Sequence, residues 1–249
     1  MTDLIPRAQS APKTHKKIVE VMKRYAKPSD LVLDCPCGEG ALYLLLSEAG
    51  INVLAGDLYP EYFKLPPPAK CERVDLNKEN APWPDVFFNQ IICCDGVGDL
   101  ENVDAAFREF SRMIRAEGHF ICSFPNTANF SSRIRYFCSG FFNKFKQPIL
   151  ANDRTSTVRP LFFWQVSRSL ERAGFEIDSI LFNRVKSREY VFLPLFIPIA
   201  VFALILSIKM IAKELRHSTF SPRRWKTFAL NQSLMFLLSE SIIVVAKRK

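Results

Sequence analysis

The stretch Leu31-Val32-Leu33-Asp34-Cys35-Pro36-Cys37-Gly38-Glu39-Gly40 decides how this chain is read. A short apolar run ends in an acid, passes a turn rich in Pro and Gly, and opens into the helical-looking segment Ala41 to Ala49. Strand, turn and helix in that order form the element at which an open α/β sheet binds ligands. Gly38 and Gly40 lack a Cβ, so backbone and ligand can come close. A dinucleotide-type reading, G-x-G-x-x-G, needs a third glycine where this chain has Tyr43, and it ranks lower for that reason. An ordinary strand-to-helix turn remains the plain alternative.

Working outward, the strand Asn52 to Gly56 runs into Asp57, 17 residues beyond Gly40. A carboxylate at the end of a second strand is placed to bond both hydroxyls of a ribose. A third short strand, Cys71 to Val74, ends at Asp75-Leu76, and a fourth, Gln90 to Cys94, ends at Asp95. Continuously apolar strands of this kind suit a parallel sheet covered on both faces.

These residues resemble the first motif of the class I S-adenosylmethionine-dependent methyltransferases, an apolar strand followed by Asp-x-Gly-x-Gly-x-Gly. Pro36 stands where the first of those glycines usually sits, while Asp34, Gly38 and Gly40 stay in register. The resemblance implies S-adenosylmethionine as cofactor, cradled by Asp34, Cys35, Pro36, Cys37, Gly38 and Gly40. It further implies Asp57 and Leu58 at the ribose, Asp75 and Leu76 at the adenine, and Cys94 at the end of the fourth strand. Many small-molecule members carry Glu-His where this chain has Gly98-Asp99, so the usual imidazole is missing. Asp95 and Asp99 are the candidate catalytic bases in its place.

The expected fold class is therefore α/β: a doubly wound, mostly parallel seven-stranded sheet, Rossmann-like, in a single domain over 1–249. Helices are expected at Thr14 to Ala26, Asn102 to Arg115 (stopped near Glu117-Gly118) and Pro160 to Ala173. Strands are expected at His119 to Phe124, Phe175 to Val185 and Ser241 to Ala246. Residues 1 to 11 read as a loose tail without the apolar run of a signal peptide. His119, at a strand start, reads as structural.

Composition bounds the partners. A chain of 249 residues with 48% hydrophobic content, 22 Phe and a formal charge of +9 points to anionic partners. Seven Cys, all before residue 139, read as buried reduced thiols. Cys35-Pro36-Cys37 offers no tetrahedral metal set, since no second Cys pair or nearby His completes it, and no metal is expected.

Two inserts stand out. Residues 129–147 interleave Arg133, Arg135, Lys144 and Lys146 with six aromatic side chains and read as a lid over the substrate pocket. Such a mixture also suits single-stranded nucleic acid. However, Cys94-Asp95-Gly96-Val97 is no Asn-Pro-Pro-Tyr-like amino-methylating motif, which disfavours a nucleic-acid substrate. Residues 188–238 form an apolar helical insert between the last two strands. Within it, Val191 to Ile208 lacks any charge and carries Pro194 and Pro198. The flanking strands should pair antiparallel in one sheet, so both ends return to the same side, and an in-plane or re-entrant segment fits better than a crossing. Packing within the protein is the alternative. The composite expectation is a methyltransferase peripheral to the cytoplasmic face of a membrane, with an anionic lipid surface as partner and a small-molecule or lipid-like acceptor. The competing class is a methyltransferase-fold scaffold without turnover. Oligomeric state stays open.

Overall fold

The computed structural model describes residues 5–78, 81–143, 145, 159–191 and 233–249, with isolated helical positions between 194 and 209. Seven strands form one sheet in the order β3-β2-β1-β4-β5-β7-β6. They are β1 (Leu31–Asp34), β2 (Asn52–Asp57), β3 (Cys71–Arg73), β4 (Phe88–Cys94), β5 (Ile114–Pro125), β6 (Phe175–Phe182) and β7 (Ser241–Arg248). Only β7 opposes its neighbours: it pairs antiparallel with both β5 and β6, and the other pairings are parallel. The expected doubly wound, mostly parallel sheet is present.

Alternation along β5 explains the two layers. Phe120, Cys122 and Phe124 enter one apolar cluster, and Ile121 enters the other, as a period of two requires. Helices α3 (Val103–Met113) and α5 (Phe163–Arg172) cover the first face, through Phe107, Phe110, Phe163 and Leu170. Helices α1 (Thr14–Tyr25) and α2 (Ala41–Glu48) cover the second, through Ile18, Met22, Leu42 and Leu46. Residues 130–139, the helix α4 (Phe130–Ser139), start at Asn129, whose side chain caps the Ser132 N–H.

Boundaries shift where backbone geometry overrides local pattern. Glu117-Gly118 does not stop a helix: α3 ends at Met113 and the chain enters β5 directly, with Glu117 at φ 66 and a register shift between Phe88 and Gln90. A Cβ on Gly118 would meet the Asn89 carbonyl at 2.5 Å, so this glycine permits close strand approach. Helix α5 begins at Phe163, after Phe162 and Gln165 bond at its N-terminus. Strand β6 ends at Phe182, and Val185 forms an isolated bridge to Ser239. His119 lies within β5, its ring 4.3 Å from that of Tyr25 and its backbone N–H donating to Gln90 Oε1.

Cysteines follow the expectation with one correction. All seven are free, but Cys138 is exposed and Cys71 and Cys94 are half-buried. Among the described residues no group of His, Cys, Asp and Glu is arranged to hold a metal. Lys144, Lys146 and residue 147 of the basic aromatic insert lie outside the described residues, as does most of 188–238.

Candidate functional site

The strand order reverses between β1 and β4, which is where a doubly wound sheet opens a crevice at its strand ends. Register places Asp34 opposite Ala55 of β2 and Ile92 of β4, so the acid that ends β1 sits at the base of this crevice. The turn that follows needs its glycines: Gly38 has φ +53 and Gly40 φ +91. Both carry close neighbours, Gln9 against Gly38 and the Phe63 ring against Gly40, where a Cβ would come within 2.7 Å of Cε2.

Asp57 holds this turn from the neighbouring strand. Its Oδ2 accepts from the Gly38 N–H at 2.8 Å and its Oδ1 from the Tyr59 N–H at 3.0 Å. Each oxygen keeps a lone pair for a further donor. Asp34 is fully buried, and neither of its carboxylate oxygens makes a well-aligned hydrogen bond, the Tyr43 backbone amide acting on it only weakly. Burial pushes its carboxyl well above the usual range, Asp57 raises it further, and the Tyr43 backbone amide offsets part of this. A buried acid left in that condition is costly unless a cation or donor reaches it.

Cys35 is buried in the core beneath the turn, and its N–H donates to the Ile92 carbonyl. Pro36, after a cis peptide bond, lays its ring against Gly96. Cys37 donates its N–H to the Gly56 carbonyl and sets its Sγ 3.4 Å from Cys71 Sγ. That thiol contact, with burial, pushes the Cys37 thiol up. Leu58 follows Asp57 and is half-buried. Asp75 accepts from the Asn77 N–H at 3.1 Å and pairs with Lys78 at 3.4 Å, while Leu76 packs on the core.

At the end of β4, Cys94 Sγ accepts from the Ser123 hydroxyl, and burial followed by the Asp95 charge raises its thiol pKa well above the usual value. Asp95 sits at φ 55 with both oxygens engaged, Oδ1 by Ser123 Oγ at 2.8 Å and Oδ2 by the Ala11 N–H at 3.2 Å. Asp99 ends a 3-10 turn, Val97–Asp99, with its side chain reaching solvent. Desolvation and then the Asp95 charge raise its carboxyl to about 6.

Residues 5–11 are not the loose tail expected. The Arg7 N–H donates to Glu39 Oε2 at 2.7 Å, Gln9 lies on Gly38, and Ala11 reaches Asp95. The segment runs from the glycine turn to the end of β4. Beyond it stands a residue the sequence reading passed over, His15 on α1, with Nδ1 buried and unpartnered. Burial lowers its pKa, with the Asp95 charge opposing. Its spacing from Ile18 and Met22, on the buried face of α1, is the signal that could have found it.

This donor set suits a cationic ligand with a ribose. Asp34 is buried with no ion pair among the described residues, so a ligand cation would favour its ionised form, and Asp57 keeps lone pairs for two hydroxyls. S-adenosylmethionine has both features.

Comparison with known proteins agrees. Residues 33–122 match the methyltransferase domain family model. An uncharacterized protein of Methanocaldococcus jannaschii is 26% identical over 170 residues, which span 64% of this chain and 66% of that one. A S-adenosylmethionine-dependent methyltransferase of Archaeoglobus fulgidus superposes with a TM-score of 0.58 at 16% identity, covering 94% of this chain and 95% of its own. Magnesium protoporphyrin IX methyltransferase of Synechocystis PCC 6803, with bound S-adenosylhomocysteine, superposes with a TM-score of 0.54 at 14% identity, over 95% and 83% of the two chains. The matched segment runs from β1 to β5, across the switch point and its acids, so this part of the chain is similar to the methyltransferase domain family, and the solved methyltransferase structures share its fold.

Proposed function

We propose that the protein transfers a methyl group from S-adenosylmethionine to a small-molecule or lipid-like acceptor at a membrane surface. The observation that carries the donor half of this reading is the convergence of buried Asp34, positive-φ Gly38 and Asp57 at one strand-order reversal. When bound, the donor's sulfonium supplies an electrophilic methyl carbon. The chain's own residues then have to align a nucleophile and keep water away, and alignment alone is worth about 7–11 kcal/mol in the best model systems. For an acceptor that must lose a proton, Asp99 is the carboxylate with a pKa poised for the task, while both oxygens of Asp95 are already engaged.

The membrane half rests on the insert. Val201, Phe202, Leu204, Ile205, Leu206 and Ile208 are helical and each is at least 44% exposed. Apolar residues at those successive positions cannot share one covered face of a helix, and exposed apolar surface of that extent marks an interaction site. Among the described residues no helix is long and apolar enough to cross a membrane, so an in-plane segment on the cytoplasmic face is the arrangement we favour.

Calorimetric titration with S-adenosylhomocysteine, followed by lipid and metabolite profiling with a labelled methyl donor, tests both halves. Binding with label appearing in an extractable lipid or small molecule supports the reading. Binding without any transfer would favour the scaffold alternative, which the fully engaged Asp95 makes physically reasonable. Absence of binding would overturn the donor assignment.

A further inference from the structure

Between the N-terminal segment, α1 and α2 lies a cleft of about 500 Å3, within the roughly 300–1,000 Å3 range of small-molecule sites. One wall is apolar, made by Ala41, Leu44 and Leu45 of α2 facing Ala11. The rim carries Lys13, Lys16 and Lys17 against a single carboxylate, Glu20. Lys17 is committed, its ammonium donating to the Phe182 carbonyl. Lys13 and Lys16 are exposed and have no ion pair among the described residues. His15 also lines the cleft, and its buried Nδ1 has no partner within the protein, so a ligand group able to hydrogen-bond it would remove a standing cost.

The cleft reaches the candidate site at two places. Ala41 directly follows Gly40 of the glycine turn, and the Ala11 N–H donates to Asp95 at the end of β4. A molecule lying on Leu44 and Leu45 is one helical turn along α2 from Gly40, whose carbonyl accepts from the Leu44 N–H, and adjoins Ala11, whose N–H meets Asp95.

Resting on the methyl-transfer reading above, we infer that this cleft holds the methyl acceptor. The acceptor is an amphiphile whose apolar body lies on Leu44 and Leu45 and whose carboxylate or phosphate meets Lys13 and Lys16. An apolar wall alone would take any hydrophobic molecule. Two unpaired ammonium groups at its edge select against neutral ones, because the neutral ligand desolvates the rim without repaying it.

The test uses the full chain saturated with S-adenosylhomocysteine and four probes below their micelle concentrations: dodecyl phosphate, dodecanoate, dodecanol and inorganic phosphate. Both anionic amphiphiles should bind in calorimetry, dodecanol about tenfold more weakly or worse, and inorganic phosphate not measurably. Equal response to dodecyl phosphate and dodecanoate would leave either headgroup as the natural one, and a clear preference names it. The double variant Lys13→Ala/Lys16→Ala should lose about tenfold in dodecyl phosphate affinity and keep its affinity for S-adenosylhomocysteine. Ring resonances of His15 should move on addition of the probe, while those of His119, tilted against Tyr25 at the other end of α1, stay in place. Leu44→Glu should abolish amphiphile binding; if that variant fails to fold, the exposed lysine pair still decides. Equal affinity for dodecanol and dodecyl phosphate, an unaffected lysine variant, or a silent His15 would overturn the inference. Failure of wild-type protein to bind S-adenosylhomocysteine would instead strike the donor reading beneath it.

Discussion

A Cβ on Gly96 would lie 2.3 Å from Cγ of Pro36 and 2.5 Å from its Cδ. The proline that departs from the glycine motif is thus seated in a notch that a second glycine, 60 residues later, leaves open. Gly96 itself has an ordinary φ of −89, so space and not backbone strain is what forbids a side chain there.

Gly96→Ala should destabilise the protein by about 1–3 kcal/mol, the usual cost of overpacking a filled site. Because the clash is with a ring, Pro36→Ala/Gly96→Ala should recover much of that loss. Thermal melts of the wild type and the three variants, treated as a double-mutant cycle, give the coupling. Additive losses would place the strain elsewhere.

Asp57→Ala should weaken S-adenosylhomocysteine binding by about 1.5–3 kcal/mol, the range for hydrogen bonds to a charged group. Removing the carboxylate also frees the Gly38 and Tyr59 N–H groups that it holds. Asp57→Asn, which keeps one acceptor oxygen, should fall between wild type and alanine. A calorimetric series with no change across the three proteins would remove Asp57 from the donor site.

Asp99 sets a pH limb. With its carboxyl at about 6, a base role means that activity falls as pH drops through 6, and Asp99→Asn should abolish this limb together with about 10²–10⁴-fold of the rate. The stability sign runs the other way. A folded pKa above the ordinary carboxylate value means that the native state holds the proton more tightly, so stability is greatest below about pH 4 and declines as pH rises to 6. Asp99→Asn should therefore melt higher than wild type at pH 7 and about equally at pH 4. A retained acidic limb in the variant would assign it to another group.

Phe202→Asp together with Leu206→Asp should release the protein from anionic vesicles while leaving S-adenosylhomocysteine affinity intact. Each buried apolar side chain is worth about 1.5–3 kcal/mol, so the pair should cost roughly 10²-fold or more in partitioning. Charge at the border adds only about 1 kcal/mol per basic residue, and raising salt should weaken vesicle binding less than the two substitutions do. Wild-type protein that never sediments with vesicles would return the segment to a packing role.

The centre of the fold was legible in the sequence because its determinants are local. An apolar run, an acid, and two glycines without a Cβ identify β1, the turn and α2 without reference to anything else, and the positive φ of both glycines is what the structure adds. Asp57 stood out by its spacing at the end of β2 and Asp75 by the family resemblance, and antiparallel closure of β7 between β5 and β6 agreed with the expected pairing of the last two strands. Other features depended on tertiary contact. Ala11 meets Asp95 across 84 positions and Arg7 meets Glu39 across 32, so a stretch with no period and no motif became part of the site. His15 acquired its buried Nδ1 and lowered pKa only from the packing of α1 near Asp95 at the end of β4. Pro36 read as a defect in a motif until Gly96 was beside it. Local spacing encodes the turn because backbone dihedrals and hydrophobic period act within a few residues. Long-range packing decides which exposed-looking residues are drawn against it, since those contacts join segments whose separation leaves no trace in the pattern of either one.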